Sequence, residues 1–220
     1  MIDLHSKIKN RYEYRAKNTL IAVFPDEFDN LQKSEKPDWI DYEKDIGVEI
    51  VRATDGRFLE EKKHFNSKIS GVDLQKLSPK EKRSIGKYRG RIYTEKELGI
   101  SETSKIAAHC YSMDEPKEIL QSVVRKKIDL INSSQEVYQH LHTMFLYVLC
   151  DVGRINYADA EMLFKFMRSI QEKYKNRFAT LFVDDGYSLY RYCFNDASIV
   201  YNDISKIAQE VFIRTEYEIE

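Results

Sequence analysis

Three ionisable side chains lie in stretches that would otherwise be apolar, and their types suit metal or acid–base chemistry. Asp38 opens a short strand-like run, Asp38 to Asp41, and Glu49 interrupts a second run, Ile46 to Ala53, across a polar connection that reads as a hairpin. By the two-residue period of a strand, Ile46, Val48 and Ile50 take one face. Glu49 shares the other with Gly47 and Val51, and Arg52 projects opposite to Glu49. A run that is apolar on both faces belongs inside a sheet. A carboxylate there is costly to desolvate unless it is paired, hydrogen-bonded or bound to a metal. The third side chain is Lys127. In a helix expected over Glu115 to Gln139, Leu120, Val124, Ile128 and Ile131 form an apolar stripe, with Lys127 inside it and Lys126 beside it. Lys127 either runs its methylenes along apolar surface to water or brings an ammonium to the carboxylates, with Lys126 as the substitute.

Charge is unevenly spread. The chain has 220 residues and a formal net charge of -1, yet residues 76–96 hold eight Lys and Arg against Glu81 and Glu95. That local surplus of six positive charges leaves the remainder at -7, so one face is able to meet phosphates. Within it, Lys82, Arg83, Lys87, Arg89 and Arg91 are the candidate nucleic-acid contacts, interleaved with Tyr88, Tyr93 and glycines that suit stacking and backbone contact. The alternative is a solvated turn and strand.

Other combinations carry less. His140-x-His142 has no third ligand at suitable spacing. Asp184 and Asp185 are explained by the Asp-Gly hairpin turn they begin. Cys110, Cys150 and Cys193 are odd in number and widely spaced, which suggests free thiols instead of a disulfide framework or zinc site. No G-x-G-x-x-G or Walker loop occurs, which argues against nucleotide-fuelled chemistry. The absence of a long apolar run or an apolar leader predicts a cytoplasmic, non-membrane protein.

The elements that must position these residues read in order. A helix over residues 3–24 has Leu4, Ile8, Tyr12, Ala16 and Leu20 on one face and Pro25 to stop it. Residues 26–36 read as a loop or short helix before the hairpin. Residues 54–115, rich in glycine, read as an insertion, with Ser78-Pro-Lys-Glu as a helix start. Thr143 to Cys150 is a buried strand and Tyr157 to Tyr174 an amphipathic helix. Strands at 179–183 and 188–194 flank the Asp-Gly turn. A helix from Asp203 to Arg214 turns Ile204, Ile207, Ala208, Val211 and Phe212 inward, and residues 216–220 form a frayed tail. The expected fold is α/β, a single domain over residues 1–220 with one mixed sheet covered by helices.

Pro37-Asp38 and Glu49, with the phrase Ile46-Gly-Val-Glu-Ile-Val-Arg-Ala53, resemble the PD-(D/E)xK nuclease superfamily, in a branch where the motif Lys is absent and Val51 stands in its place. The resemblance implies a restriction-endonuclease-like αβββαβ core, Mg2+ or Mn2+ as cofactor held by Asp38 and Glu49, and hydrolysis of phosphodiesters in DNA or RNA. It also implies that Lys127 supplies the ammonium from a neighbouring helix and that Glu13, on the first helix, adds a carboxylate to the metal. A structural Glu13 paired with a neighbouring base is the alternative. The first core strand is not distinct; Thr19 to Phe24 is one choice, at the expense of the first helix.

Three functions compete on these residues: a metal-dependent nuclease, an inactive nuclease-like fold that binds nucleic acid or protein, and a dimerising interaction protein whose 179–194 hairpin meets a partner. The second draws on Val51, with Glu49 then neutralised by Lys127 in a buried pair.

Overall fold

A computed structural model describes residues 4–54, 69, 72, 75–87, 90–94, 105–109, 115–133, 138, 141–151 and 153–219. The chain divides into two compact units, residues 1–53 with 117–220, and residues 54–116.

The larger unit is built on a seven-stranded mixed sheet in the order β1-β2-β3-β6-β7-β8-β9. Helix α1 (Leu4–Val23) is followed by a single turn, α2 (Pro25–Phe28). Strands β1 (Gln32–Lys33), β2 (Trp39–Asp41) and β3 (Ile46–Ala53) form an antiparallel meander. Asp41 makes the β2–β3 turn by accepting the amides of Glu43 and Lys44, both at 3.0 Å. Strand β6 (Thr143–Cys150) lies parallel to β3, and β7 (Thr180–Asp184) parallel to β6. The chain then returns antiparallel through β8 (Ser188–Cys193) and β9 (Ser198–Asp203).

Alternation along β3 sorts the core. Ile46, Val48 and Ile50 pack with Phe145 and Tyr147 of β6 against Ala16 and Leu20 of α1. The opposite face carries Leu146, Val148 and Val183 under helix α4 (Glu115–Ser133) and helix α5 (Tyr157–Gln171). Leu120, Val124, Ile128 and Ile131 are all buried, as the apolar stripe predicts. Asn156 caps α5 by accepting the amide of Asp159 at 2.9 Å. Cys150 and Cys193 are in no disulfide; Cys110 lies outside the described residues.

Several expectations are corrected. Thr19 to Val23 is helical, and the first strand is Gln32–Lys33, a polar edge pair inside the segment read as loop or short helix. Helix α4 is described over Glu115–Ser133, and residues 134–137 and 139 of the expected helix lie outside the described residues. The last helix, α6, runs Ala208–Ile219. Its acidic end is anchored to α1 by Arg11–Glu216 at 2.7 Å and Lys17–Glu218 at 3.0 Å, so it is not a frayed tail. Phe212, expected inward, is 55% exposed. The 179–194 hairpin is interior to the sheet, with Leu181, Phe182, Val183 and Leu189 fully buried, so its apolar residues are used within the chain.

Gly47 marks the tightest spot beside the candidate site. A Cβ there would come within 2.6 to 2.7 Å of Leu141, Met144 and Pro37 side-chain atoms. Gly47→Ala is expected to destabilise the chain by about 1–3 kcal/mol through overpacking. An unchanged urea midpoint would show that this packing is looser than described.

The smaller unit contains helix α3 (Pro79–Lys87) and a two-stranded antiparallel sheet, β4 (Gly90–Thr94) with β5 (Lys105–His109). The expected helix start is present. Ser78 Oγ accepts the Glu81 amide at 3.3 Å, and Glu81 accepts the Ser78 amide at 2.8 Å.

Candidate metal and nucleic-acid site

The β2–β3 register brings the two acids together. Trp39 stands opposite Val48, so the preceding residue, Asp38, falls beside Glu49. Both carboxylates are buried, at 6% and 3% exposure. Asp38 Oδ2 accepts the backbone N–H of Ile50 at 2.7 Å, which fixes it against β3.

Glu49 finds two partners on the other side. Lys127, projecting from the apolar stripe of α4, donates to Oε2, and Tyr138 donates its hydroxyl to Oε1 at 2.7 Å. The stripe is what aims Lys127. Leu120, Val124 and Ile128 seat the helix on the sheet, and a residue at position 127 then points down at β3 with its side chain only 19% exposed. Sequence reasoning missed Tyr138. It stands 89 residues from Glu49 at the end of an expected helix, and no spacing marks it.

The electrostatics follow from this geometry. Burial, then repulsion from Glu49, lift the Asp38 carboxyl to about 7; the Ile50 N–H and Lys127 oppose the rise, and Glu13 adds the smallest push. Tyr138 is held protonated, its hydroxyl raised by burial and by the Glu49 carboxylate that accepts from it. The result is a like-charged pair of acids with one ammonium between the sheet and α4.

Glu13 comes from the α1 side. It is buried at 1% exposure and ion-paired with Lys33 of β1, whose ammonium also lies 4.8 Å over the Trp39 ring. Its electrostatic effect reaches Asp38, but its carboxylate is engaged by Lys33. Lys126 is exposed and makes no ion pair with Glu49. Among the described residues, no group of three His, Cys, Asp or Glu side chains stands together as a metal site. His142 is exposed and His140 lies outside the described residues. Asp184, read as a turn residue, does accept the Gly186 amide at 2.6 Å, but it is also fully buried.

In the basic segment, Lys82 and Arg83 are exposed on α3. Arg89 and the side chains of Lys87 and Arg91 lie outside the described residues. No described helix is long and apolar enough to cross a membrane.

Comparison of the chain with protein-family models, with curated proteins and with solved structures gave no match.

Proposed function

We propose that this chain is a divalent-metal-dependent phosphodiester hydrolase acting on DNA or RNA, with Asp38 and Glu49 as metal ligands and Lys127 as its ammonium. The observation that carries the reading is the Asp38–Glu49 pair, two buried carboxylates held side by side with the Asp38 carboxyl pushed up to about 7. Bringing like charges together out of water is unfavourable for the fold alone, and a divalent cation relieves it. Two carboxylates also suit Mg2+, which commonly takes one or two and leaves its other positions to water and substrate phosphates. Within the larger unit, leaving aside the single turn α2, the order α1, β1-β2-β3, α4, β6, with β6 parallel to β3, is compatible with the αβββαβ core that the PD-(D/E)xK resemblance implies.

When bound, Mg2+ or Mn2+ supplies an acidified water and charge neutralisation at the phosphate. The chain's own residues do the rest. Asp38 is held in place by the Ile50 N–H, Tyr138 orients Glu49, and Lys127 places a positive charge where the attacking water and phosphate oxygens gather. On the smaller unit, Lys82, Arg83, Lys87, Arg89 and Arg91 are the proposed contacts to nucleic-acid phosphates, which carry no sequence information. Glu13 is a further ligand only if Lys33 releases it.

A second reading has one observation in its favour. Both oxygens of Glu49 already accept from protein donors, Lys127 and Tyr138, so the acid is neutralised from within. That describes an inactive nuclease-like module equally well. Mn2+ titration by calorimetry separates the two. The hydrolase reading expects a saturable site in the parent that is lost in both Asp38→Asn and Glu49→Gln. Equal Mn2+ binding by parent and variants would contradict it.

A further inference from the structure

We infer that a cleft between α1 and α6, over the carboxyl ends of β3 and β6, binds a nucleoside phosphate. It goes beyond the hydrolase reading and does not depend on it, because Arg52 and Leu149 line it from the sheet face opposite Glu49.

Two neighbouring cavities make the cleft, of about 430 and 290 Å3, and they share Arg15 and Phe212 as walls. Three guanidiniums reach the larger one: Arg11 and Arg15 from α1 and Arg52 from the end of β3. The cleft lies beyond the carboxyl ends of the parallel strands β3 and β6, where Arg52, Leu149 and Asp151 line it. Arginine is the side chain best shaped to fork onto a phosphate.

Arg15 is pre-positioned from beneath. Its Nη2 lies 3.3 and 3.4 Å from the two oxygens of Asp184, a fully buried carboxylate fixed by the Tyr147 hydroxyl at 2.7 Å and the Gly186 amide at 2.6 Å. A buried network of this kind holds a cation at a set place while leaving its outer edge to the cleft. Arg11 and Arg52 are paired with Glu216 and Asp151, partly exposed acids that line the same cavity and that a bound phosphate would have to displace.

The aromatic walls select the rest of the ligand. Phe212 is 55% exposed, with the Arg11 guanidinium 5.5 Å from its ring centre, and Tyr187 is 51% exposed beneath the Arg154 guanidinium at 4.1 Å. An exposed ring beside a cation is a stacking platform for a flat base joined to a phosphate. Inorganic phosphate alone would leave these rings unused.

The test is calorimetric titration of the full chain in EDTA with AMP, GMP, CMP and UMP, with adenosine and inorganic phosphate as partial ligands. At least one monophosphate is expected to bind saturably, with adenosine and phosphate each about tenfold weaker or more. Arg11→Gln and Phe212→Ala, both at exposed positions and compared with the parent at matched helix content and urea midpoint because Arg11 also pairs with Glu216, are each expected to weaken it about fivefold to tenfold, while Asp38→Asn leaves it unchanged. A 5′-phosphorylated ten-nucleotide strand that binds more tightly than the mononucleotide assigns the site to a strand end; equal or weaker binding assigns it to the free nucleotide. Absence of monophosphate binding by the parent would overturn the inference. So would binding that persists in Arg11→Gln and Phe212→Ala but is lost on charge reversal at Lys82 and Arg83.

Discussion

Asp38→Asn is expected to make the chain more stable at pH 8, by a few kcal/mol, and to make no difference near pH 4. The sign comes from proton binding. In the unfolded chain the Asp38 carboxyl loses its proton near its ordinary value of 3.8, and in the fold only near 7. Between those two pH values the folded chain keeps a proton that the unfolded chain has lost, so stability falls as pH rises across the window. Above 7 the full cost stands, at about 1.4 kcal/mol for each unit of displacement. Asn removes the charge and still accepts the Ile50 N–H through its carbonyl oxygen. Urea denaturation in EDTA from pH 4 to 8 measures this directly. A variant that is less stable than the parent at pH 8 would show that the ionised Asp38 is well solvated or neutralised, and the strained acid pair would not exist. Because Glu49 is the second cause of the shift, the same substitution made in Glu49→Gln should gain less.

The second large effect concerns Lys127. Its ammonium meets a carboxylate that is 3% exposed, so Lys127→Met leaves Glu49 charged and desolvated with only the Tyr138 hydroxyl as donor. A loss of about 3 kcal/mol is expected, as for breaking a buried pair from one side. Glu49→Gln alone should also destabilise, by leaving Lys127 without its counter-charge. Combined, Lys127→Met and Glu49→Gln should recover most of the loss and lie within about 1 kcal/mol of the parent, since the uncompensated charges disappear together. Strictly additive losses in the double variant would mean that the two side chains do not interact.

How far this arrangement was legible in the sequence depends on how local its causes are. Strands β3 and β6 follow from continuous apolar runs and appear where the pattern puts them. Lys127 was visible because a charged residue inside an apolar helical stripe contradicts its surroundings. Strand β1 was not visible: Gln32 and Lys33 are polar and exposed, and only their pairing with Trp39 and Ile40 makes them a strand. Strand β9 was missed for a different reason: Ile199, Val200 and Tyr201 favour a strand, but on this edge Val200 and Tyr201 are exposed, so no alternation marks a buried face. The acidic end of α6 reads as a tail until Arg11 and Lys17, some 200 residues away, are seen to hold it. Tyr138 and the Asp184–Arg15 network likewise depend on long-range packing that periodicity does not encode.

We propose that phosphodiester hydrolysis takes place at Asp38 and Glu49. The measurement that tests it most directly is cleavage of end-labelled single- and double-stranded DNA and RNA by the parent chain in Mg2+, Mn2+ or EDTA, beside Asp38→Asn and Lys127→Met. Metal-dependent cleavage of at least one substrate by the parent is expected, with a loss of about a hundredfold or more in both variants. Cleavage that persists in EDTA or in Asp38→Asn, or no cleavage of any of these substrates by the folded parent, would contradict it.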